Sequence, residues 1–141
     1  SAQETDILEA ICGKAASSDS PIVLATGGDA VAHGYAEQYM TKNVRLLKRL
    51  GLIFYLTPSL DLKANARLLV ERIKNDSVQR FTHTNNKLLF DEYLGILTKR
   101  DKLYKDTADA VIVTGRLPPE EVATLVTQRY CAMTTPSFSF V

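Results

Sequence analysis

Three short, continuous apolar segments are separated by stretches long enough for helices, and this spacing restricts the fold more than any other feature. They lie at residues 21–26, 52–56 and 110–113. A parallel strand that is buried on both faces is apolar throughout, and a long crossover, usually a helix, joins it to the next parallel strand. The pattern therefore predicts an α/β fold with a parallel sheet.

The stretches around and between these segments carry apolar residues at helical spacing. We expect Ser59 to cap one of the helices, and Gly51 stands where the glycine that ends a helix belongs. Residues 74–87 are polar and aperiodic, which predicts a mobile loop. The predicted helices occupy residues 3–16, 41–50, 59–73, 89–104 and 118 onward.

The charge balance excludes several classes of protein. Lys and Arg total 17 and Asp and Glu total 16, so the net charge is +1, which argues against a nucleic-acid or membrane-surface protein. No apolar run approaches the roughly 18 residues of a membrane span. Cys12 and Cys131 lack a CxxC spacing and read as small buried apolar residues. His33 and His83 have no partners at ligand spacing, so no metal site is expected.

The two ends of the chain are polar or mixed. The sequence begins at Ser1 without an apolar signal region, a start that a removed transit peptide or a cloning boundary would leave. We expect one domain over residues 1–133 and a C-terminal tail over residues 134–141. The tail alternates Phe138 and Phe140 with serines, and ordinary packing is favoured over strand pairing or docking on a partner.

Six short segments occur in the order found in one known family. The first, Ala-Thr-Gly-Gly-Asp-Ala-Val, is similar to a family segment with glycine in place of aspartate. The others are similar to the family's Gly-x-Val-x-Tyr-Leu strand, its post-lid segment, its Arg-x-x-Leu-Tyr helix, its last strand and its Pro-Glu-Glu-Val helix start. They lie at residues 25–31, 51–56, 86–89, 98–104, 108–113 and 117–122. Together they make the chain resemble a shikimate kinase over roughly residues 5–130.

The resemblance implies a five-stranded parallel sheet wrapped by helices, with a lid that closes over ATP. The family's N-terminal third, which carries the first two strands and the P-loop, has no match here. We therefore expect a three-layer parallel sheet of the P-loop small-molecule kinase type that lacks those two strands. Because the family's first strand lies between the strands matching 22–26 and 52–56, those two must pair directly, borrow a strand or lie in an assembly. The tail with Phe138 is one candidate filler.

The phosphate-binding part of the kinase has no counterpart in the sequence. The 141 residues contain no Gly-x-x-x-x-Gly-Lys-Ser/Thr motif, and Gly13-Lys14-Ala15 lies in a predicted helix with no preceding strand. Phosphoryl transfer needs backbone N–H groups and a lysine around the phosphates, with ligands for Mg²⁺. Without them, no rate above background is expected.

Four residues are the candidates for substrate binding. Arg100 matches the arginine that clamps the substrate carboxylate in the family, although a solvated arginine near Asp101 is the alternative. Gly27 and Gly28 match glycines that let the substrate approach the backbone, and a tight turn explains them equally. Asp29 replaces the family's third glycine. A carboxylate there is expected to repel an anionic substrate by roughly 1–4 kcal/mol.

Three residues are the candidates for nucleotide binding. Arg67 (or Arg72) and Pro119 lie where the family holds adenine between two side chains, although Pro119 is also explained as a helix-start proline. Asn86 replaces the lid arginine that would reach the ATP phosphates. Lys87 would carry the charge instead, and a solvated loop residue is its alternative interpretation.

Two functions follow from these departures. The favoured one is a non-catalytic relative that binds no cofactor and serves as a structural or interaction subunit, with other protein subunits as partners and no nucleic acid. The alternative is the C-terminal part of an ATP- and Mg²⁺-dependent shikimate kinase. A small-molecule binding domain ranks third, because Asp29 opposes it. The resemblance implies a plastid after removal of a transit peptide, with a bacterial cytoplasm as the other possibility.

Overall fold

The computed structural model describes residues 2–32, 37–75 and 85–136. Helices and two short strands alternate along these ranges, as the spacing of apolar segments predicts. The elements are α1 (Ala2–Ala16), a 3-10 turn (Gly28–Ala30), α2 (Glu37–Leu50), β1 (Phe54–Thr57), α3 (Leu62–Asn75), α4 (Asn86–Thr107), β2 (Ala110–Val113) and α5 (Pro119–Thr134).

The chain forms two compact units. The first contains Ser1–Ile53 and Thr98–Asp109, and the second contains Phe54–Leu97 and Ala110–Val141. Helix α4 therefore contributes its C-terminal half to the first unit and its N-terminal half to the second. The predicted division into a domain over 1–133 and a tail stays a prediction, because residues 137–141 lie outside the described residues.

The first unit is organised around the packing of α1 against α2. Its core cluster consists of Leu8, Leu46 and Leu47, which are 5%, 9% and 7% exposed. Partly buried apolar residues pack around the cluster, namely Cys12, Val31, Leu50 and Ile53. The α2 helix ends as expected, since Gly51 follows it with a φ of 156°. The apolar stripe read from the sequence thus faces the first helix.

A buried polar side chain connects three elements of this unit. Asn43 on α2 is 1% exposed, and its Nδ2 donates to the Ala30 carbonyl at 3.0 Å. Its Oδ1 accepts a hydrogen bond from the Thr5 hydroxyl of α1 at 2.8 Å. Because buried polar groups are costly unless they are bonded, this pair of bonds fixes the position of the Gly28–Ala30 turn.

The predicted strand over residues 21–26 is wrong for this structure. Residues 21–27 form no strand, and Ile22, Val23 and Leu24 are 51%, 99% and 37% exposed. A strand is stable only when another strand satisfies its backbone groups, and within the described residues this segment is paired with neither β1 nor β2. The apolar run is present, but it is not buried.

The second unit contains the sheet. Strands β1 and β2 pair in parallel, with Phe54 opposite Ala110 and Thr57 opposite Val113. Both strands were predicted from the sequence, β1 with a shift of two residues. In β2, Ala110 and Ile112 are buried, whereas the alternating Val111 is 40% exposed. The parallel α/β class is confirmed, but the described sheet has two strands rather than three, and one face of β2 is open.

The start of α3 differs in detail from the prediction. Asp61, not Ser59, caps the helix, because its Oδ1 accepts from the Lys63 backbone N–H at 2.9 Å. Ser59 instead holds the preceding turn, with its hydroxyl accepting from the Asp61 N–H at 3.0 Å. On the helix, Asn65 Nδ2 donates to the Thr57 hydroxyl at 3.0 Å, which ties α3 to the end of β1. The cap and the tether both follow from short polar side chains.

Some sequence predictions concern residues outside the described ranges, including His33, His83 and the Phe138 and Phe140 tail. At the two described ends of the predicted loop over 74–87 the chain is helical instead, since α3 continues to Asn75 and α4 begins at Asn86. Cys12 is half-buried, whereas Cys131 is exposed, so the expectation of two buried cysteines is wrong for Cys131. Along the described chain, we find no helix that is both long and apolar enough to span a membrane.

Candidate functional site

An ion pair joins the Gly28–Ala30 turn to the C-terminal half of α4. The Arg100 Nη2 donates to the Asp29 carboxylate, across 71 residues of sequence. The side chains are 35% and 58% exposed, so water reaches both. Asp101, the next residue along the chain, forms an ion pair with Lys105 one turn along α4 at 2.7 Å. The charge of Arg100 is therefore met by the Asp29 carboxylate, while the guanidinium stays in contact with solvent.

Tyr104 completes the cluster one helical turn after Arg100. Its hydroxyl donates to the Gly28 carbonyl at 2.8 Å. A Cβ at Gly28 would lie 2.8 Å from that hydroxyl and 3.3 Å from Arg100 Nη1, whereas a Cβ at Gly27 would meet nothing within 4 Å. Of these two glycines, Gly28 is the one at which a side chain would have to displace Tyr104 and Arg100. Close approach of α4, rather than an unusual backbone angle, is the reason.

The cluster shifts the pKa of Tyr104. Burial raises the pKa of the phenol, the negative charge of Asp29 raises it further, and the charge and hydrogen bond of Arg100 lower it. The net result is a pKa above the ordinary value of 10.0. Tyr104 is therefore the neutral hydrogen-bond donor of this cluster at physiological pH.

Replacing the charge of Asp29 is expected to change the titration of Tyr104. In Asp29→Asn the phenolate no longer faces a like charge, so the pKa of Tyr104 should fall relative to the unmodified chain. The pKa of Tyr104 is measured from the near-ultraviolet absorbance of phenolate as a function of pH. The contribution of Tyr104 is obtained by subtracting the titration of the same protein carrying Tyr104→Phe, once with Asp29 and once with Asp29→Asn. An unchanged or higher pKa in Asp29→Asn would contradict the geometry.

The raised pKa also sets the sign of a pH effect on stability. The folded state holds the Tyr104 proton more tightly than the unfolded chain does, so this contribution is complete below the unfolded value of about 10 and is lost as pH rises above it. Tyr104→Phe removes the titrating group. Its free energy of unfolding should accordingly fall less steeply than that of the unmodified chain above pH of about 10.

The three nucleotide candidates lie in the second unit. The Arg67 guanidinium lies 5.9 Å from the centroid of the Phe90 ring, in cation–π geometry. Lys87 is in the first turn of α4, where its backbone N–H donates to the Asn85 side chain at 3.0 Å. Pro119 begins α5 with Pro118 as its cap residue, which confirms the helix-start interpretation. Among the described residues, no hydrogen bond, ion pair or ring contact joins Pro119 to Arg67 or Lys87.

Gly13 and Lys14 lie inside α1, which ends at Ala16. Their amides belong to a helix and are not arranged as a loop around a phosphate, which agrees with the sequence interpretation. Within the described ranges, no three His, Cys, Asp or Glu side chains come together in a group that could hold a metal ion.

A family model described as shikimate kinase matches residues 2–131. The chain belongs to the shikimate kinase family. The resemblance to this family that the sequence indicated is therefore confirmed.

Shikimate kinases of bacteria are among its relatives. That of Nitrosococcus oceani is 34% identical over 102 residues, which cover 72% of this chain and 46% of the relative. Shikimate kinase 2 of Salmonella schwarzengrund is 29% identical over 126 residues, which cover 89% of this chain and 59% of the relative. The chain thus spans about half the length of these relatives. No solved structure matches it significantly.

Of the residues predicted for substrate binding in this shikimate kinase relative, the structure brings Gly28, Asp29 and Arg100 into one cluster. The sequence reading missed Tyr104 as a member, although its position four residues after Arg100 places it on the same face of the helix. It also missed Asn43, because a buried amide in an amphipathic helix carries no local signal of the partners that it bonds.

Proposed function

We propose that this shikimate-kinase-family chain is a non-catalytic subunit that acts through contacts with other protein subunits. The observation that carries the proposal is the ion pair between Asp29 and Arg100. In the family resemblance, Arg100 is the arginine that holds the substrate carboxylate. Here its positive charge already has a carboxylate of the same chain beside it, so an anionic substrate meets a neutralised site.

The phosphate side of the reaction supports the same proposal. The family implies ATP with Mg²⁺, and the described residues do not fit that pair of ligands. Gly13-Lys14 is helical, Lys87 lies in the first turn of α4, and Arg67 lies over an aromatic ring. Transfer of a phosphoryl group depends on preorganised donors and metal around the phosphates. We therefore derive no phosphoryl-transfer step from these residues.

Exposed apolar surface supports an interaction role. In the first unit, Val23 is 99% exposed beside the half-exposed Ile22. In the second unit, Leu56, Val111 and Val113 of the two strands are 46%, 40% and 45% exposed. Single exposed apolar residues are normal, but contiguous ones mark surfaces that another protein covers. The unpaired outer edge of a short sheet also favours added strands.

The alternative proposal is that the chain is part of an active enzyme. The chain spans 46% and 59% of the two relatives, so it would correspond to the C-terminal part of an ATP-dependent shikimate kinase whose phosphate-binding segment lies elsewhere. That alternative predicts that the Arg100 site is available to a substrate. It also requires Asp29 to move away from the guanidinium during binding.

The deciding experiment uses the protein isolated from its natural source. Shikimate-dependent formation of ADP is measured with ATP and Mg²⁺ at high protein concentration, beside a bacterial shikimate kinase as positive control. We expect no rate above the protein-free background. The same sample is analysed by intact mass and by light scattering under native conditions, where we expect particles larger than one chain.

Each outcome is informative. Turnover overturns the non-catalytic assignment, and a chain heavier than the 15.6 kDa of this sequence would then identify the alternative. A monodisperse single chain, without any associated subunit, overturns the interaction role. Absence of turnover in a larger particle supports both parts of the proposal.

A further inference from the structure

We propose that Asp29 is a built-in occupant of the carboxylate site of Arg100, and that it excludes small external monocarboxylates from that site. The inference rests on the proposed function in one respect, namely that this cluster is not engaged in catalysis. It assigns Asp29 a specific task, which is to act as an internal ligand rather than only as a repelling charge.

The nature of the ligand follows from what already occupies the site. The group that meets Arg100 Nη2 is a carboxylate, supplied through a single oxygen of Asp29. Arginine binds a free carboxylate best through two parallel hydrogen bonds. Asp29 accepts a hydrogen bond from only one of the guanidinium nitrogens. An untethered carboxylate could accept two, so the internal pair does not use the full hydrogen-bonding capacity of Arg100.

The neighbouring donors lie around one point. Arg100 Nη1 and the Tyr104 hydroxyl lie 3.3 Å and 2.8 Å from the position that a Cβ on Gly28 would take. Because Gly28 carries no Cβ, Arg100 and Tyr104 pack closely against this turn, and the guanidinium is brought beside Asp29. The Tyr104 hydroxyl gives its one proton to the Gly28 carbonyl at 2.8 Å, so it holds the turn against α4 and is not itself a donor to a ligand.

Asp29 competes with external carboxylates for Arg100, and this competition blocks the site even though both side chains are exposed. The Asp29 and Arg100 side chains are 58% and 35% exposed, so the pair gains little from its own attraction. Tethering nevertheless gives the Asp29 carboxylate an effective concentration on the order of millimolar or higher at the guanidinium. An external anion has to displace it and then lies beside its displaced charge. External carboxylates that bind Arg100 weakly are thus excluded by Asp29, whose own attraction is weak but whose effective concentration is high.

The test compares the chain with Asp29→Gly and Asp29→Asn. Each protein is titrated with sodium acetate and, separately, with shikimate, at constant ionic strength, and amide and Arg100 side-chain shifts are followed by NMR. We expect both variants to bind the carboxylates at least about fivefold more tightly than the unmodified chain does. Asp29→Asn keeps the side-chain size, so it separates the charge from the space that glycine would open.

Arg100→Gln in the Asp29→Gly background is the matched control, and binding should be lost there. Sodium chloride at equal concentration reports nonspecific anion binding. If folded Asp29→Gly and Asp29→Asn bind carboxylates no better than the unmodified chain, the proposal is wrong and the ion pair only ties the turn to α4. Binding that survives Arg100→Gln also overturns it.

The two proposals fail separately. Turnover by the natural protein refutes the non-catalytic assignment whatever the variants bind. Unchanged carboxylate affinity in the Asp29 variants refutes the role of Asp29 as an internal ligand. The non-catalytic assignment would then stand, but Asp29 would not be its cause. Should Asp29→Gly fail to fold, as judged by its amide spectrum, the isosteric Asp29→Asn carries the test alone.

Discussion

Asn43→Ala is expected to destabilise the first unit by about 2–4 kcal/mol. The substitution removes the donor that reaches the Ala30 carbonyl at 3.0 Å and the acceptor that the Thr5 hydroxyl uses at 2.8 Å. Each buried polar group that loses its partner costs about 1–3 kcal/mol. The better helix propensity of alanine returns about 0.5 kcal/mol, which is too little to offset the loss.

Hydrogen exchange read by mass spectrometry is the suitable measurement, because it reports each unit separately. Peptides from α1, α2 and the Gly28–Ala30 turn should lose protection in Asn43→Ala, and those from β1 and β2 should not. Gln38→Ala, at an exposed position of the same helix, is the control and should change stability by less than about 0.5 kcal/mol. Equal hydrogen-exchange protection of the first unit in the two variants would show that the Asn43 side chain does not stabilise the packing of α1, α2 and the Gly28–Ala30 turn.

The same substitution links stability to the candidate site. Asn43 holds the carbonyl of Ala30, the residue directly after Asp29. If the turn loosens, the Asp29–Arg100 pair should loosen with it, and the Arg100 side-chain signals should broaden or shift. This outcome would place Asn43 as a positioning residue behind the cluster.

Local patterns predicted most of the elements, although their limits differ by up to four residues. The helices were visible because their apolar residues repeat at helical spacing, and β1 and β2 because short apolar runs are bounded by turn residues. The run at 21–26 carries the same local signal but forms no strand. Strand formation depends on a partner that supplies hydrogen bonds, and the identity of the partner is not encoded in the segment itself.

The site was predictable only in part, for the same reason. The resemblance pointed to Gly28, Asp29 and Arg100, and the sequence indicated that Asp29 opposes an anion. That Asp29 reaches Arg100 itself is a contact across 71 residues, which no local pattern contains. The cap of α3 shows the limit at short range, since Ser59 and Asp61 are both good cap residues and only the backbone selects Asp61.

Leu47→Ala is expected to cost the first unit about 2–5 kcal/mol. Leu47 is 7% exposed and packs with Leu8 and Leu46 in the cluster between α1 and α2. Truncation loses the burial of three carbon atoms and leaves a cavity that two packed helices cannot close fully. Backbone effects are small, because alanine is a good helix former.

Two controls separate the cavity from the mere loss of an apolar side chain. Ile7→Ala removes a comparable group from α1 at a position that is 59% exposed, so its cost should stay within about 0.5 kcal/mol. Leu47→Met nearly conserves the volume and should cost less than about 1.5 kcal/mol. Urea denaturation combined with hydrogen exchange ranks the three variants. If Leu47→Ala and Ile7→Ala lost equal stability, the interface between α1 and α2 would be loosely packed, and the positions of Asn43 and the Asp29 turn would no longer follow from it.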